Sequence, residues 1–351
     1  MNIATIIGAR PQFIKAAPIS EKINTTYDSV SEIIIHTGQH FERNMSKIFF
    51  DEMGMVEPKY NLDINQMEYC LMIEKMVKKI NPILIEENIH GVLVYGDTNS
   101  TLAGSISAKQ LNLPIFHVEA GLRSFNRSML EENNRIITDH LSSLLFCPSE
   151  NAVKNLLKEN LTDGVIISGD VMYDIYLKFS SHKYNLDLGL KRSSYILATI
   201  HRRENIDTAE KLSTIFNNLN KINSDQKVIM PLHPHTRQKV KEYDIKSNIT
   251  FIEPLGYISM LSLLNECEMV ITDSGGLQKE SFFAKKKCLT VREQTEWIEL
   301  IDQGTNLLCE PKNLYQAYKK ISKKECNFSN NFYGDGSASN IIIQSIENFF
   351  C

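Results

Sequence analysis

The feature that most constrains this chain is an alternation. Short apolar runs, rich in Ile, Val and Leu, alternate with longer stretches of helix-length amphipathic pattern. The runs fall at 3–7, 32–36, 92–95, 115–118, 144–147 and 165–168, and again at 195–199, 228–231, 249–252, 269–272 and 288–291. The intervening patterns include 67–87 and 209–221. Runs this short, separated by helices, are the mark of parallel strands buried on both faces. The chain therefore reads as α/β, with sheets built from βαβ units.

The two sets of runs predict two doubly wound, Rossmann-like domains, and 351 residues give each a core of ordinary size. The seam is expected near 169–195, because 179–194 is polar and aperiodic. The first domain then covers 1–170 and is completed by a closing helix within 338–351. The second covers 171–337.

Composition excludes several classes. The formal net charge of -4 gives no bulk attraction to nucleic acid or to an anionic membrane. No apolar run approaches the length of a membrane span. The N-terminus reads straight into a strand, without the basic start and cleavage site of a signal peptide. The 7 cysteines are odd in number and form no CxxC pair. Reduced thiols of a cytoplasmic protein fit this better than a disulfide framework or a zinc site. An anionic ligand must then be held by local groups.

Those groups crowd the strand ends, where open parallel sheets bind ligands. Gly8-Ala9-Arg10-Pro11-Gln12-Phe13-Ile14-Lys15 is a strand, turn and helix start, with Pro11 suited to the first helical turn. It is expected to aim free backbone N–H groups, Arg10 and Lys15 at an anion; the alternative is a plain turn with surface charges. It lacks the GxGxxG of nicotinamide binding. Asp273-Ser274-Gly275-Gly276 is stronger, because Ser-Gly-Gly between a buried strand and a helix lets backbone amides approach a diphosphate. Glu280, about two turns into that helix, can accept from ribose hydroxyls. Asp97 and Glu119 end neighbouring runs and can converge, while Glu131-Glu132 opens the next helix. Clustered carboxylates can supply both an acid and a base; acids at a helix start also simply favour the dipole. His201, beside Arg202 and Arg203, can stabilise a leaving phosphate or move a proton. His233 and His235 have no third ligand at recognisable spacing, so no metal and no cofactor are expected. Two such edges facing each other would define one interdomain cleft.

Taken in order, the segments 8–15, Thr-Gly-Gln-His (37–40), Gly-Asp-Thr-Asn-Ser-Thr (96–101), His-Val-Glu-Ala-Gly-Leu-Arg (117–123), Glu-Glu-Asn-Asn-Arg (131–135), His-Arg-Arg-Glu-Asn (201–205) and Thr-Asp-Ser-Gly-Gly-Leu-Gln (272–278) resemble the non-hydrolysing UDP-N-acetylglucosamine 2-epimerases. The resemblance implies a glycosyltransferase-B-like fold whose C-terminal helix crosses back onto the N-terminal domain. It implies UDP held by Ser274, Gly275, Gly276 and Glu280, with Arg10 and His201 near the phosphates. It implies catalysis by Asp97, Glu119 and Glu131, and a substrate contacted by Lys15, Gln39, His40, Arg123, Arg127 and Arg135. The family's reaction eliminates UDP to a 2-acetamidoglucal and adds it back, interconverting the gluco and manno forms. A homodimer and a place in polysaccharide biosynthesis are further implications.

Three departures are informative. Asn65-Gln66-Met67-Glu68 stands where substrate-activated members carry Arg-Gln-Thr-Leu. The loop 124–130 before Glu131 is short and lacks the usual Pro. Arg292-Glu293-Gln294-Thr295-Glu296-Trp297 resembles the branch acting on UDP-2,3-diacetamido-2,3-dideoxy-glucuronate. A uronate calls for an extra cation, and Arg43, Arg123 or Arg127 can provide it. The rival readings are a transferase of the same fold and the hydrolysing epimerase branch; a non-catalytic sugar-nucleotide binder would not need the three carboxylates.

Overall fold

The computed structural model describes residues 1–39, 52–182 and 192–351. The chain forms two compact units, Met1–Lys178 with Asn331–Cys351, and Phe179–Asn330. The first holds β1 (Asn2–Ile7), β2 (Ser31–His36), β3 (Tyr60–Asn61), β4 (Gly91–Tyr95), β5 (Ile115–Val118), β6 (Leu144–Cys147) and β7 (Val165–Ile167). Their spatial order is β3-β2-β1-β4-β5-β6-β7, and every pairing is parallel.

The second unit holds β8 (Tyr195–Thr199), β9 (Lys227–Pro231), β10 (Thr250–Ile252), β11 (Met269–Thr272), β12 (Lys287–Thr290) and β13 (Asn306–Leu308). It is again parallel, in the order β10-β9-β8-β11-β12-β13. In both sheets the chain starts in the middle and winds outward twice, reversing between β1 and β4 and between β8 and β11. Doubly wound sheets bind their ligands beside that reversal.

The central strands form because their residues are apolar on both faces; β4 is buried at every position. The flanking helices bury one stripe each. Tyr69–Glu86 turns Met72, Met76, Ile80, Ile83 and Leu84 inward, and each such side chain contributes about 1.5–3 kcal/mol on full burial. The C-terminal helix Ala338–Phe350 buries Ile342, Ile343 and Ile346 and packs on the helix Arg10–Thr26. Phe349 and Phe350 set their rings edge-on to Phe116 of β5. The last helix thus completes the first unit.

The unit boundaries lie a few residues from those expected at 170 and 338, for a physical reason. The Asp174 carboxylate accepts from the backbone N–H of Ala338 (3.2 Å) and Ser339 (2.8 Å), and Asp170 N–H donates to the Tyr333 carbonyl at 2.9 Å. These bonds fasten the helix Val171–Phe179 and the returning tail to the same unit. The two strands not foreseen, β3 and β13, are edges of two and three residues, Tyr60-Asn61 and Asn306-Leu307-Leu308, too short for their pattern to stand out. Among the described residues, no helix is long and apolar enough to cross a membrane.

Candidate active site

The first unit presents its polar side chains at the ends of β1, β2, β4 and β5. Gln12 knits two of these ends together: its Oε1 accepts from Gly8 N–H (2.9 Å) and Ala9 N–H (3.0 Å), and its Nε2 donates to the Tyr95 carbonyl and to Thr101 Oγ1, both at 3.0 Å. This corrects one expectation. The amides of Gly8 and Ala9 are taken by a buried side chain and are not aimed at an anion. Arg10 opens the following helix, half-buried. Thr37 and Ser100 share a hydroxyl hydrogen bond of 2.7 Å, and Gln39 Oε1 accepts from Ser100 Oγ at 2.8 Å. Gln39 thus braces the start of the helix Asn99–Gln110. His40 and Arg43 lie outside the described residues.

Asp97 and Glu119 are brought together around buried cations. Lys15 pairs with Glu119, and a side chain on Gly96 would meet Lys15 Nζ at 3.2 Å and Glu119 Oε2 at 3.7 Å. Gly96 has φ +65°, so this turn needs glycine for its backbone as well as its space. Arg135 donates to Asp97 Oδ2 at 2.5 Å and to the Glu119 carbonyl. Burial works to raise the Asp97 pKa, but the charges of Arg135 and Lys15 prevail and hold the carboxyl below its ordinary value. Glu119 has φ +69°, a left-handed conformation that costs a non-glycine residue of order 1–3 kcal/mol and clusters at functional sites. Asn134, on the same helix as Arg135, donates to the Asp97 carbonyl at 2.9 Å.

The neighbouring acids divide their work. Glu132 is buried and receives Ser124 N–H, Ser124 Oγ–H and Phe125 N–H at 2.8–2.9 Å, so it fastens the preceding loop. Glu131 is exposed at the start of the helix Leu130–Leu141. It lies one turn before Asn134 and Arg135 and so on their side of the helix. Arg127 is exposed on the loop. Arg123 does not fit the substrate-binding part expected of it. Only 1% exposed, its guanidinium meets Glu159 through Nε and Nη2 at 2.8 Å each, and the Leu122 carbonyl and Asp139 through Nη1 at 2.7 Å each. A planar fork with both edges occupied inside the protein has no face left for a ligand.

In the second unit, Ser274 caps the helix Gly275–Phe283 at the end of β11. The turn 274–276 is half-exposed while Asp273 is fully buried. Asp273 receives the backbone N–H of His201 (3.1 Å) and Arg202 (3.0 Å) and the Asn205 amide (3.0 Å), and its carboxylate lies 3.4 Å from His201 Nδ1. The ends of β8 and β11 are thereby locked side by side, with the His201 ring turned by its acid neighbour. Glu280 is buried further along the helix. Two details were not legible in advance. A Cβ on Gly275 would lie 2.9 Å from Glu296 Oε1, with Glu296 paired to Arg292 at 3.0 Å. Lys279 Nζ sits 4.2 Å from the centre of the buried Trp297 ring, a cation–π contact. His233 caps the helix Pro234–Glu242 and stacks on His201 at 5.7 Å.

Comparison with known proteins gives the family. The family model described as UDP-N-acetylglucosamine 2-epimerase matches residues 22–347. A UDP-N-acetylglucosamine 2-epimerase homolog of Methanococcus maripaludis is 44% identical, over 99% of this chain and 100% of its own. The UDP-2,3-diacetamido-2,3-dideoxy-D-glucuronate 2-epimerase of Pseudomonas aeruginosa is also 44% identical, over 98% and 99%. Among solved structures, the UDP-GlcNAc 2-epimerase of Methanocaldococcus jannaschii in complex with UDP-GlcNAc and UDP superposes with a TM-score of 0.91 at 36% identity, covering 99% of this chain and 100% of that one. Its relatives place the fold in the glycosyltransferase-B-like class. The chain belongs to the UDP-N-acetylglucosamine 2-epimerase family and is an isomerase.

Proposed function

We propose that this enzyme inverts C2 of a UDP-linked 2-acetamido sugar, with Asp97, Glu119 and Glu131 as the groups that move protons and the turn Ser274-Gly275-Gly276 with Glu280 as the seat of UDP. The observation that carries this reading is the pairing of Asp97 and Glu119 at neighbouring strand ends through Lys15 and Arg135. Two carboxylates with different cationic partners differ in proton affinity, as an acid and a base must.

The reaction asks for such a pair. C2–H is not activated by a carbonyl, so cleavage of C1–O must lead. One carboxylate takes the C2 proton as the C1–O bond pair leaves with UDP, giving a 2-acetamidoglucal. UDP then re-adds at C1 and a proton arrives on the opposite face of C2. Negative charge builds on the departing diphosphate. Arg10, His201 and the backbone amides of Gly275 and Gly276 are the groups assigned to it, and preorganised donors of this kind supply the largest share of such catalysis.

Within this class we favour the 2,3-diacetamido uronate as substrate. The Pseudomonas relative named for it is 44% identical, level with a UDP-N-acetylglucosamine 2-epimerase homolog of Methanococcus maripaludis and above relatives named UDP-N-acetylglucosamine 2-epimerase from that organism and Escherichia coli, at 38% and 30%; the Arg292–Trp297 segment tips the choice. With Arg123 committed inside the fold, Arg127 is the described candidate to meet the C6 carboxylate. A homodimer in the cytoplasm, serving polysaccharide synthesis, belongs to the same proposal, and light scattering checks the dimer.

Incubation with each UDP-sugar in D₂O, without an acceptor, tests the whole reading. Deuterium at C2 in a mixture of epimers still joined to UDP is expected, faster with the uronate. An untouched C2–H would sink it in favour of transfer, and release of free sugar would favour the hydrolysing branch. Arg127→Ala should slow the uronate reaction more than that of UDP-N-acetylglucosamine.

A further inference from the structure

His117 occupies the centre of β5 with no exposed surface, and neither of its nitrogens faces an apolar neighbour. Nε2 lies 2.7 Å from the Gly96 carbonyl and Nδ1 lies 2.7 Å from Asp139 Oδ1. A carbonyl oxygen has no proton to give, so Nε2 carries one and donates it. Burial works to raise the Asp139 pKa, but His117 and Arg123 outweigh it and hold the carboxyl below its ordinary value. The ring is thus tied at both nitrogens inside the core, as a buried polar group must be.

The pairing continues outward. Asp139 Oδ2 accepts from Gly121 N–H at 3.1 Å and from Arg123 at 2.7 Å, and Arg123 ends on Glu159. One chain of hydrogen bonds thus joins the turn after β4, the turn after β5 and the helix Leu130–Leu141, the three segments that carry Gly96-Asp97, Glu119 and Arg135.

We infer that His117 is a positioning residue for the carboxylate pair: its Nε2–H fixes the Gly96 carbonyl, and with it the Asp97 turn, while Asp139 and Arg123 anchor the ring from the other side. This rests on the reading of Asp97 as a catalytic group. The titratable groups facing Asp97 are Arg135 from the helix Leu130–Leu141, Lys15 from the helix Arg10–Thr26, and His117 from β5. Those facing His117 are Asp139 and Asp97, and Asp139 in turn faces the Arg123 guanidinium and the Cys147 thiol of β6.

The test uses the full-length enzyme in three measurements. Ring-¹⁵N spectra of histidine-labelled protein should show one buried imidazole whose Nε2 proton is retained and hydrogen-bonded, assigned by its loss in His117→Gln. An Nε2 without a proton would overturn the inference, whether or not any variant folds. The glutamine keeps a donor for Gly96 but not the ring's second tie to Asp139. At an unchanged thermal midpoint, kcat should fall about tenfold or more with KM within about threefold, as expected when a positioned proton-transfer group is disturbed and binding is not. The limb of the kcat–pH profile that Asp97→Asn abolishes should move to higher pH in His117→Gln, because a loosened turn holds the carboxyl less firmly against Arg135 and Lys15. Loss of kcat with that limb unmoved would leave His117 a purely structural residue and refute the inference. If Asp97→Asn itself retained C2 deuterium exchange, the assignment of Asp97 would fail instead, and the ring spectrum would still report on His117.

Discussion

Gly275→Ala separates ligand binding from folding at the diphosphate turn. Gly275 is the first residue of its helix, and its φ does not lie in the left-handed region, so alanine suits the backbone. Exchanging glycine for alanine at a compatible position stabilises by about 0.4–1 kcal/mol through the unfolded chain. Against this, the new Cβ would stand 2.9 Å from Glu296 Oε1. Glu296 must shift at its flexible end, which costs about 1 kcal/mol, a loosened hydrogen bond, so long as its largely buried pair with Arg292 survives; breaking that pair outright would cost about 3–5 kcal/mol. The two effects nearly cancel, and the thermal midpoint should stay within about 3 °C of wild type. Binding should not be spared. A methyl group over the turn holds a diphosphate away from the amides of Gly275 and Gly276. Hydrogen bonds to a charged group are worth about 1.5–3 kcal/mol each. Losing one of them weakens UDP by roughly 10-fold to 150-fold. Calorimetric titration with UDP, run beside thermal unfolding, reads both. A Kd within about threefold of wild type would refute the placement of the diphosphate on this turn. A collapse of the thermal midpoint would instead refute the view that Glu296 can move cheaply.

Three other outcomes follow from the same contacts. Arg135→Met should cut turnover by on the order of 100-fold, the scale of a catalytic group displaced by about an ångström. It should also remove stability selectively: the lowered Asp97 pKa contributes stability above the unfolded value of 3.8 that is lost as pH falls through the folded value, so the gap in urea midpoints should narrow below about pH 4. Glu32→Gln should do the reverse. Burial holds the Glu32 pKa above 4.5, only partly offset by Ser20 and Thr5, so the native protein loses stability as pH rises through that window. The glutamine variant should have a higher urea midpoint at pH 7 and no advantage below about pH 4; equal midpoints at both would count against a buried acid at this position. Finally, Cys70 and Cys351 are exposed and should react promptly with a thiol reagent, followed by the half-exposed Cys326. The thiols of Cys267, Cys288 and Cys309, pushed up to about 12 chiefly by burial, and that of Cys147 should stay silent until denaturant is added.

The interior strands could be read from the chain because burial on both faces writes a continuous apolar run. β4, β5, β6, β8 and β11 lie where their runs do. β3 and β13 are too short to write one: Tyr60-Asn61 holds no aliphatic residue and β13 only Leu307-Leu308, whereas the edge strands β7 and β10 do carry runs. The same limit governs the site. Asp97, Glu119, His201 and Ser274 follow buried strands immediately, and position at a strand end is a property of order along the chain. What a side chain there touches is not. Arg123 and Arg135 stand in equally polar surroundings, yet one closes on Glu159 and Asp139 in the interior while the other holds Asp97.

Glu131 and Glu132 pose the same problem over a single residue. Neighbours on a helix point about 100° apart, so one of an adjacent acid pair faces inward and the other does not. Which one does is decided by the loop 124–130, whose amides at Ser124 and Phe125 need an acceptor. Glu132 supplies it, and this leaves Glu131 available for a substrate. On the role proposed for Glu131, this loop is coupled to chemistry: lengthening it should move the amides that hold Glu132, rotate the helix start, and withdraw Glu131 from the side on which Asn134 and Arg135 grip Asp97. A loop that looks like a peripheral departure from the family pattern is, on these contacts, what aims the third carboxylate.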